Sequence, residues 1–189
     1  MTTNNSPSDW YFNKLSRLIE ETNREELDHG VDVVRSAWMR GAQIITLGNG
    51  GSALTALHYI TDWNKSIYLK TGIPFYGRTL LDNMGLLMAY GNDISFEDIF
   101  LEQLKNILKP GDLVIAISGS GNSENVIRAV EYANKNSAET LGLCGYSGGK
   151  LKDLAQHKIW INKNDMQLCE DLHAIFGHIV MQYLCNYAR

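Results

Sequence analysis

The sequence predicts an α/β fold, a doubly wound and mostly parallel sheet, from three observations. Apolar runs of strand length at residues 43–47, 113–118 and 140–144 alternate with segments whose apolar residues repeat at helical spacing. These runs lack the polar alternation of a half-exposed strand, so they read as strands covered on both faces. Two of them break at once into glycine and short hydroxyl or amide residues, IITLGNGGS at 44–52 and LVIAISGSGNS at 113–123, and a helical pattern follows each.

In chain order, residues 1–6 are polar and expected to be loose, with Ser6, Ser8 or Asp9 available to cap a helix. Trp10, Leu15, Leu18 and Ile19 mark one face of a helix over 10–23, and Leu27, Val31, Val34, Trp38 and Met39 mark a second that stops near Gly41. Two helices thus precede the first strand. They are more than a minimal α/β unit needs, and point to an oligomer interface as well as to packing within one subunit. The helix after the first strand carries Leu54, Leu57, His58, Ile60, Thr61 and Asp62. A second strand is expected over 73–80, a short helix over 84–90 and a longer one over 96–108. Pro110-Gly111 precedes the strand at 113–118, and a helix over 125–134 returns to the strand at 140–144. A glycine-containing turn at 145–150, a short helical segment, a strand at 157–161 and a long helix over 166–188 complete the chain.

With 189 residues, 44% hydrophobic and 20% charged, the chain has enough apolar material for one core without disulfides or metal. Its net charge of −4, with no block of Lys or Arg, gives no support for a nucleic-acid surface. The start MTTNNSPSDW lacks a basic and then apolar leader, and no run approaches the ~18 apolar residues of a membrane span, so a cytoplasmic location without a membrane partner is expected. Cys144, Cys169 and Cys185 form no CxxC pair and read as reduced, mostly buried thiols rather than nucleophiles.

Both glycine turns fall at the carboxyl edge of the sheet, where parallel α/β sheets bind ligands. Glycine lets the backbone come close to a ligand, and the following helix N-terminus offers free N–H groups to an anion. SGSGNS is the more informative turn, because Ser118, Ser120, Asn122 and Ser123 can all donate to phosphate oxygens. GNGGSA lacks the Lys-Ser/Thr of a nucleotide P-loop, and neither turn is a dinucleotide fingerprint, so a phosphorylated small ligand is expected and no nucleotide cofactor. His58 and Asp62, four apart in HYITD, share a helix face, and Glu170, His173 and His178 lie on the long helix. An imidazole and a carboxylate facing one pocket can move protons or hold a divalent metal, although each alone reads as a packing or capping residue. His173 is expected to pair with Glu170 or cap a polar pocket. His29 and His157, without supporting neighbours in sequence, are expected to be surface or structural residues.

Taken together, GNGGSA, HYITD, YGNDISFEDIF, KPGDLVIAISGSGNSENVI, LCGYSGGK and EDLHAIFGH, in this order over residues 10–188, resemble the sugar isomerase (SIS) domain and, within it, the phosphoheptose isomerases. The resemblance implies one SIS domain over 1–189, with N-terminal helices at 1–41 and the sheet with its crossover helices at 42–189. It implies a flavodoxin-like three-layer sandwich with a mostly parallel five-stranded sheet, and a homotetramer with active sites between subunits. It implies isomerisation of sedoheptulose 7-phosphate to D-glycero-D-manno-heptose 7-phosphate for bacterial surface polysaccharides. By resemblance, Ser52, Ser118, Gly119, Ser120 and Ser123 hold the phosphate, with Asn49, Gly50 and Gly51 shaping the first turn. Asn83, Asp93 and Gln167 fall among the substrate contacts. The family's metal, usually zinc, would be held at His58, Asp62, Glu170 and His178.

The sequence departs from that pattern in having Asp62 where the family has its Glu base, Glu170 where it has Gln, and Asn83 and Gln167 where it commonly has Asp. The implied chemistry is aldose–ketose isomerisation through a cis-enediol, with Asp62 as base, His178 as its acid/base partner and Glu170 as the alternate base. A continuous last helix would separate Glu170 from His178 by about 12 Å along its axis, too far to share one ion. Either the helix begins after Glu170 or the two act from different subunits. Two other readings remain open: a non-catalytic phosphosugar-binding SIS module, one branch of which associates with the bacterial replication initiator, and an isomerase for another phosphosugar.

Overall fold

The computed structural model describes residues 6–187. Helix α1 (Pro7–Glu21) begins where the Ser6 hydroxyl accepts the Asp9 amide at 3.2 Å, with proline in the first turn, where its missing N–H costs nothing. The looseness expected of residues 1–5 falls outside the described residues. Asn23 caps α2 (Arg24–Met39) by accepting the Glu25 and Glu26 amides.

Strands β1 (Ile44–Gly48), β2 (Gly77–Thr79), β3 (Leu113–Ser118), β4 (Glu139–Cys144) and β5 (His157–Trp160) form one sheet in the order β2-β1-β3-β4-β5, every neighbouring pair parallel. The order reverses between β1 and β3, so the crevice lies beyond their carboxyl ends, where the two glycine turns leave the sheet. The helical elements are α3 (Gly50–Asp62), a π-helical turn Trp63–Ile67 that continues it into α4 (Tyr68–Thr71), α5 (Met84–Asp93), a 3₁₀ turn Phe96–Asp98, α6 (Ile99–Ile107), α7 (Glu124–Lys135), α8 (Gly149–Leu154) and α9 (Met166–Tyr187).

The layers follow from side-chain alternation in the buried central strands. Leu113, Ile115 and Ile117 of β3 join Val34, Trp38, Tyr59, Trp63 and Phe176 on one face. Val114 and Ala116 join Ile45, Leu47, Phe100, Leu104 and Val130 on the other. Each face buries its own apolar cluster, as a three-layer sandwich requires.

The second strand is three residues long rather than eight. Asn64 occupies its outer edge: its Oδ1 accepts the Gly77 amide at 2.9 Å and its Nδ2 donates to the Gly77 carbonyl at 3.0 Å. Upstream, Pro74 has no amide for a ladder, and its carbonyl is taken by the Trp38 indole. Among the described residues no helix is long and apolar enough to cross a membrane.

Candidate active site

The glycines of the first turn have specific work. Gly50 has φ +55°, the left-handed region, and a Cβ on Gly48 would lie 2.9 Å from the Ile117 and Ser52 carbonyl oxygens. Asn49 precedes α3 but leaves the first amides of that helix uncapped by its side chain. It exchanges two hydrogen bonds with Asn125 instead, at 2.8 and 3.0 Å. Asn125, 2% exposed in the first turn of α7, therefore laces the two glycine turns together. Sequence reasoning missed it, because in the polar run Ser123-Glu124-Asn125 nothing local marks the one side chain that is buried.

The second turn is held by its own hydroxyls and amides. Ser118 Oγ lies 3.2 Å from Ser123 Oγ and accepts the Gly121 amide, and Ser120 Oγ accepts the Asn122 amide. Asn122 Oδ1 accepts the Lys150 amide at 3.1 Å, fixing the loop against residues 145–150. That contact needs glycine: a Cβ on Gly121 would come within 1.9 Å of the Gly148 carbonyl oxygen. Ser123 stands at the N-cap of α7 without a side-chain bond to its amides, and of these the Val126 amide donates to Asn125 Oδ1 at 2.9 Å.

Helix α9 crosses this edge. Its start is tied to α1 by a Lys14–Asp165 ion pair and by Tyr11 Oη donating to Asp171 at 2.7 Å. Met166 packs so close over Gly119 that a Cβ there would meet its sulfur, and Cys169 does the same over Gly145. Gln167 is exposed on the first turn of α9. Glu170 lies on Gly51, where a Cβ would meet its two carboxylate oxygens at 2.7 and 3.0 Å. A carboxylate at the start of α3 is favoured by the helix dipole, and it makes the first turn a poorer seat for phosphate than the second.

Two turns further along the same pair of helices stands a cluster. His58 Nε2 is 3.0 Å from His178 Nε2 and 3.4 Å from Asp62 Oδ2, and one donor atom from each of the three lies within 4.8 Å of the others. The imidazoles meet edge to face, and both are exposed. Beneath them α3 and α9 are keyed by Trp63 Nε1 donating to the Gly177 carbonyl at 2.9 Å and by the Tyr59 hydroxyl donating to the His173 carbonyl. Because α9 is helical from Met166, the alternative of a helix starting after Glu170 is excluded. Within one chain the expected four-ligand set is therefore three, with Glu170 at the first turn and about 12 Å from His178 along the axis.

Other expectations shift for identifiable reasons. His173 does not pair with Glu170: it sits on the core stripe of α9 with Leu172 and Phe176, 1% exposed, and neither ring nitrogen has a hydrogen-bond partner. Burial pushes its pKa down to about 4, the nearby Cys144 backbone offsetting only part of this without meeting hydrogen-bond geometry. Asn83 caps α5, its Oδ1 accepting the Leu86 amide at 3.0 Å, while Asp93 ends the same helix and accepts from Asn92. About 15 Å of helix separates these two. Burial raises the Cys144 thiol to about 12 and also raises those of Cys169 and Cys185, which keeps all three protonated, as expected of non-nucleophiles. His29 and His157, without neighbours in sequence, are brought to 3.0 Å of one another.

Residues 10–145 match the SIS domain family. The phosphoheptose isomerase of Aliarcobacter butzleri is 33% identical over 91% of this chain and 90% of its own length. That of Crocosphaera subtropica is 32% identical over 92% of this chain and 89% of its own. Among solved structures, the phosphoheptose isomerase of Neisseria gonorrhoeae matches with a TM-score of 0.83 at 26% identity, covering 92% of this chain and 94% of that one. With two glycine turns at the switch point and this likeness over nearly its whole length, the chain belongs to the SIS domain family and, within it, to the phosphoheptose isomerases.

Proposed function

We propose that the chain is a phosphosugar aldose–ketose isomerase that interconverts sedoheptulose 7-phosphate and D-glycero-D-manno-heptose 7-phosphate in the cytoplasm. The observation that carries the reading is the His58–Asp62–His178 cluster on α3 and α9, two turns along from the first glycine turn, in a chain similar over nine-tenths of its length to phosphoheptose isomerases.

The phosphate goes to Ser118, Ser120, Ser123 and the first amides of α7, with Gly119 allowing close approach and Ser52 and Asn49 holding the neighbouring turn. Glu170 accepts from a sugar hydroxyl at the first turn, and Gln167 and Asp93 contact the polyol. Asp62 takes a proton from C1 of the ketose while O2 gains one, which gives the cis-enediol; C2 is then protonated as O1 gives up its proton, and no net oxidation occurs. His178 carries the proton between the two oxygens. The donor chemistry of His58, Asp62 and His178, two imidazole nitrogens and a carboxylate oxygen, fits zinc or another divalent cation. When bound, that ion supplies electrostatic polarisation of the adjacent oxygens. Asp62 then keeps its second carboxylate oxygen for the proton.

Self-association completes the site in this reading. His58 and His178 are exposed beside a groove of about 520 Å³ lined by Ile175, Ile179 and Tyr183. Trp10, Phe12, Leu54, Met84, Met88 and Phe96 are more than half exposed, apolar surface that a homotetramer would cover. The test is an isomerisation assay over five- to eight-carbon sugar phosphates with zinc added or chelated. Turnover of sedoheptulose 7-phosphate that chelation abolishes supports the proposal. Turnover of a shorter phosphosugar instead, or an inactive tetramer that still binds phosphosugar, overturns it in favour of another isomerase or a binding module.

A further inference from the structure

At the amino edge of the sheet, opposite the glycine turns, His29 of α2 and His157 at the start of β5 meet with Nε2 and Nδ1 3.0 Å apart and ring centroids at 5.0 Å. The two residues lie 128 positions apart in sequence and come together through one packing event. Gly30 fits against Ile159 and Phe176 so tightly that a Cβ would lie 2.8 Å from Ile159 Cδ1, and this close approach of α2 to β5 carries His29 onto His157.

We propose that this pair is a second divalent transition-metal site, suited to nickel(II) or copper(II). Two imidazole nitrogens 3.0 Å apart can each stand about 2 Å from one ion, and imidazole is a ligand that nickel and copper take readily. The pair opens onto a groove of about 520 Å³, so water can reach the remaining positions. Lys152, in the groove wall, is drawn aside over the Trp160 ring at 4.1 Å. Glu26 is also committed elsewhere, its carboxylate accepting the Trp160 amide at 3.0 Å. His29 is exposed and His157 half-buried, so an ion reaches both rings without any opening of the fold. The site is independent of the isomerase reading, since it shares no residue or cavity with the cluster at His58.

The experiment is a nickel titration of the tag-free, metal-stripped full chain by isothermal calorimetry, with far-UV circular dichroism to verify that each variant is folded. The wild type is expected to bind two equivalents per chain. A His29→Gln/His157→Gln variant should keep one equivalent with an unchanged spectrum, and a His178→Ala variant should keep the other. Two equivalents in the double glutamine variant, or a single equivalent in the wild type that His178→Ala removes, would overturn the proposal.

Discussion

Gly177 precedes His178 on α9, and it is the position where the cluster's geometry is most exposed to a single methyl group. A Cβ at 177 would stand 2.1 Å from Tyr59 Cε1 and 2.3 Å from Tyr59 Cδ1. The ring has nowhere to go: it is 1% exposed, stacks on Trp63 at 4.7 Å between centroids, and its hydroxyl is bonded to the His173 carbonyl. Carbon atoms settle at about 3.5–4 Å, so Gly177→Ala forces α9 and α3 apart by more than ~1 Å. Overpacking of this kind costs about 1–3 kcal/mol, and the replacement of glycine inside a helix returns about 1 kcal/mol. Because the clash is at the severe end and also strains the Trp63–Gly177 hydrogen bond, the net expectation is a loss of about 2 kcal/mol. For a chain of this size that lowers Tm by roughly 4–8 °C. The same displacement lengthens the His58–His178 contact and should weaken the metal affinity proposed for that cluster. Gly91→Ala is the control: a Cβ there meets only Ile99 Cγ2 at 3.6 Å, an ordinary contact, so helix propensity alone should make that variant slightly more stable. Thermal unfolding of both variants decides the matter, and a Gly177→Ala protein as stable as Gly91→Ala would refute the reasoning.

Three further outcomes are expected. Asp62→Asn should lower kcat for the heptose phosphate by about 10²–10⁴-fold while phosphosugar binding, followed by calorimetry, persists. Asn125→Ala leaves the Asn49 amide without its partner and should cost about 1–3 kcal/mol in urea unfolding and raise KM, with Asn49→Ala adding little in the double variant. His173 has a native pKa of about 4 against an ordinary value of 6.5, so below pH 6.5 the unfolded chain binds a proton that the native chain refuses. Stability should therefore fall as pH drops from about 6.5 to about 4, by on the order of 3 kcal/mol, and a His173→Phe variant should flatten that part of the curve of unfolding free energy against pH.

The central sheet was legible because β1 and β3 are buried on both faces, so every residue in them is apolar or small, and the glycine turns mark their ends; residues 113–118 are the strand read from sequence, without adjustment. The edge was less so, since β2 is cut short by Asn64, whose role depends on a helix that brings it beside Gly77. Both glycine turns were readable from local composition, and the His58–Asp62 pair from helical spacing. That His178 joins them, that Asn49 pairs with Asn125 across 76 positions, and that His29 meets His157 are products of helix docking with no local trace. His173 is a different case. Its spacing from Cys169, Leu172, Phe176 and Val180 places it on the buried stripe of α9, and that periodicity outranks the attraction of a nearby Glu170.

The bond pair from Asn64 to Gly77 and the carboxylate of Glu26 on the Trp160 amide have a shared consequence for assembly. They sit on opposite rims of the sheet, one beside β2 and the other beside β5, and each fills main-chain positions that an incoming strand would need. A neighbouring copy is thus denied growth by strand addition at either rim. The proposed homotetramer would then be built through helices, with the oily residues left uncovered on α1, α3 and α5 as its contact surfaces, and would close instead of running on as an endless ribbon.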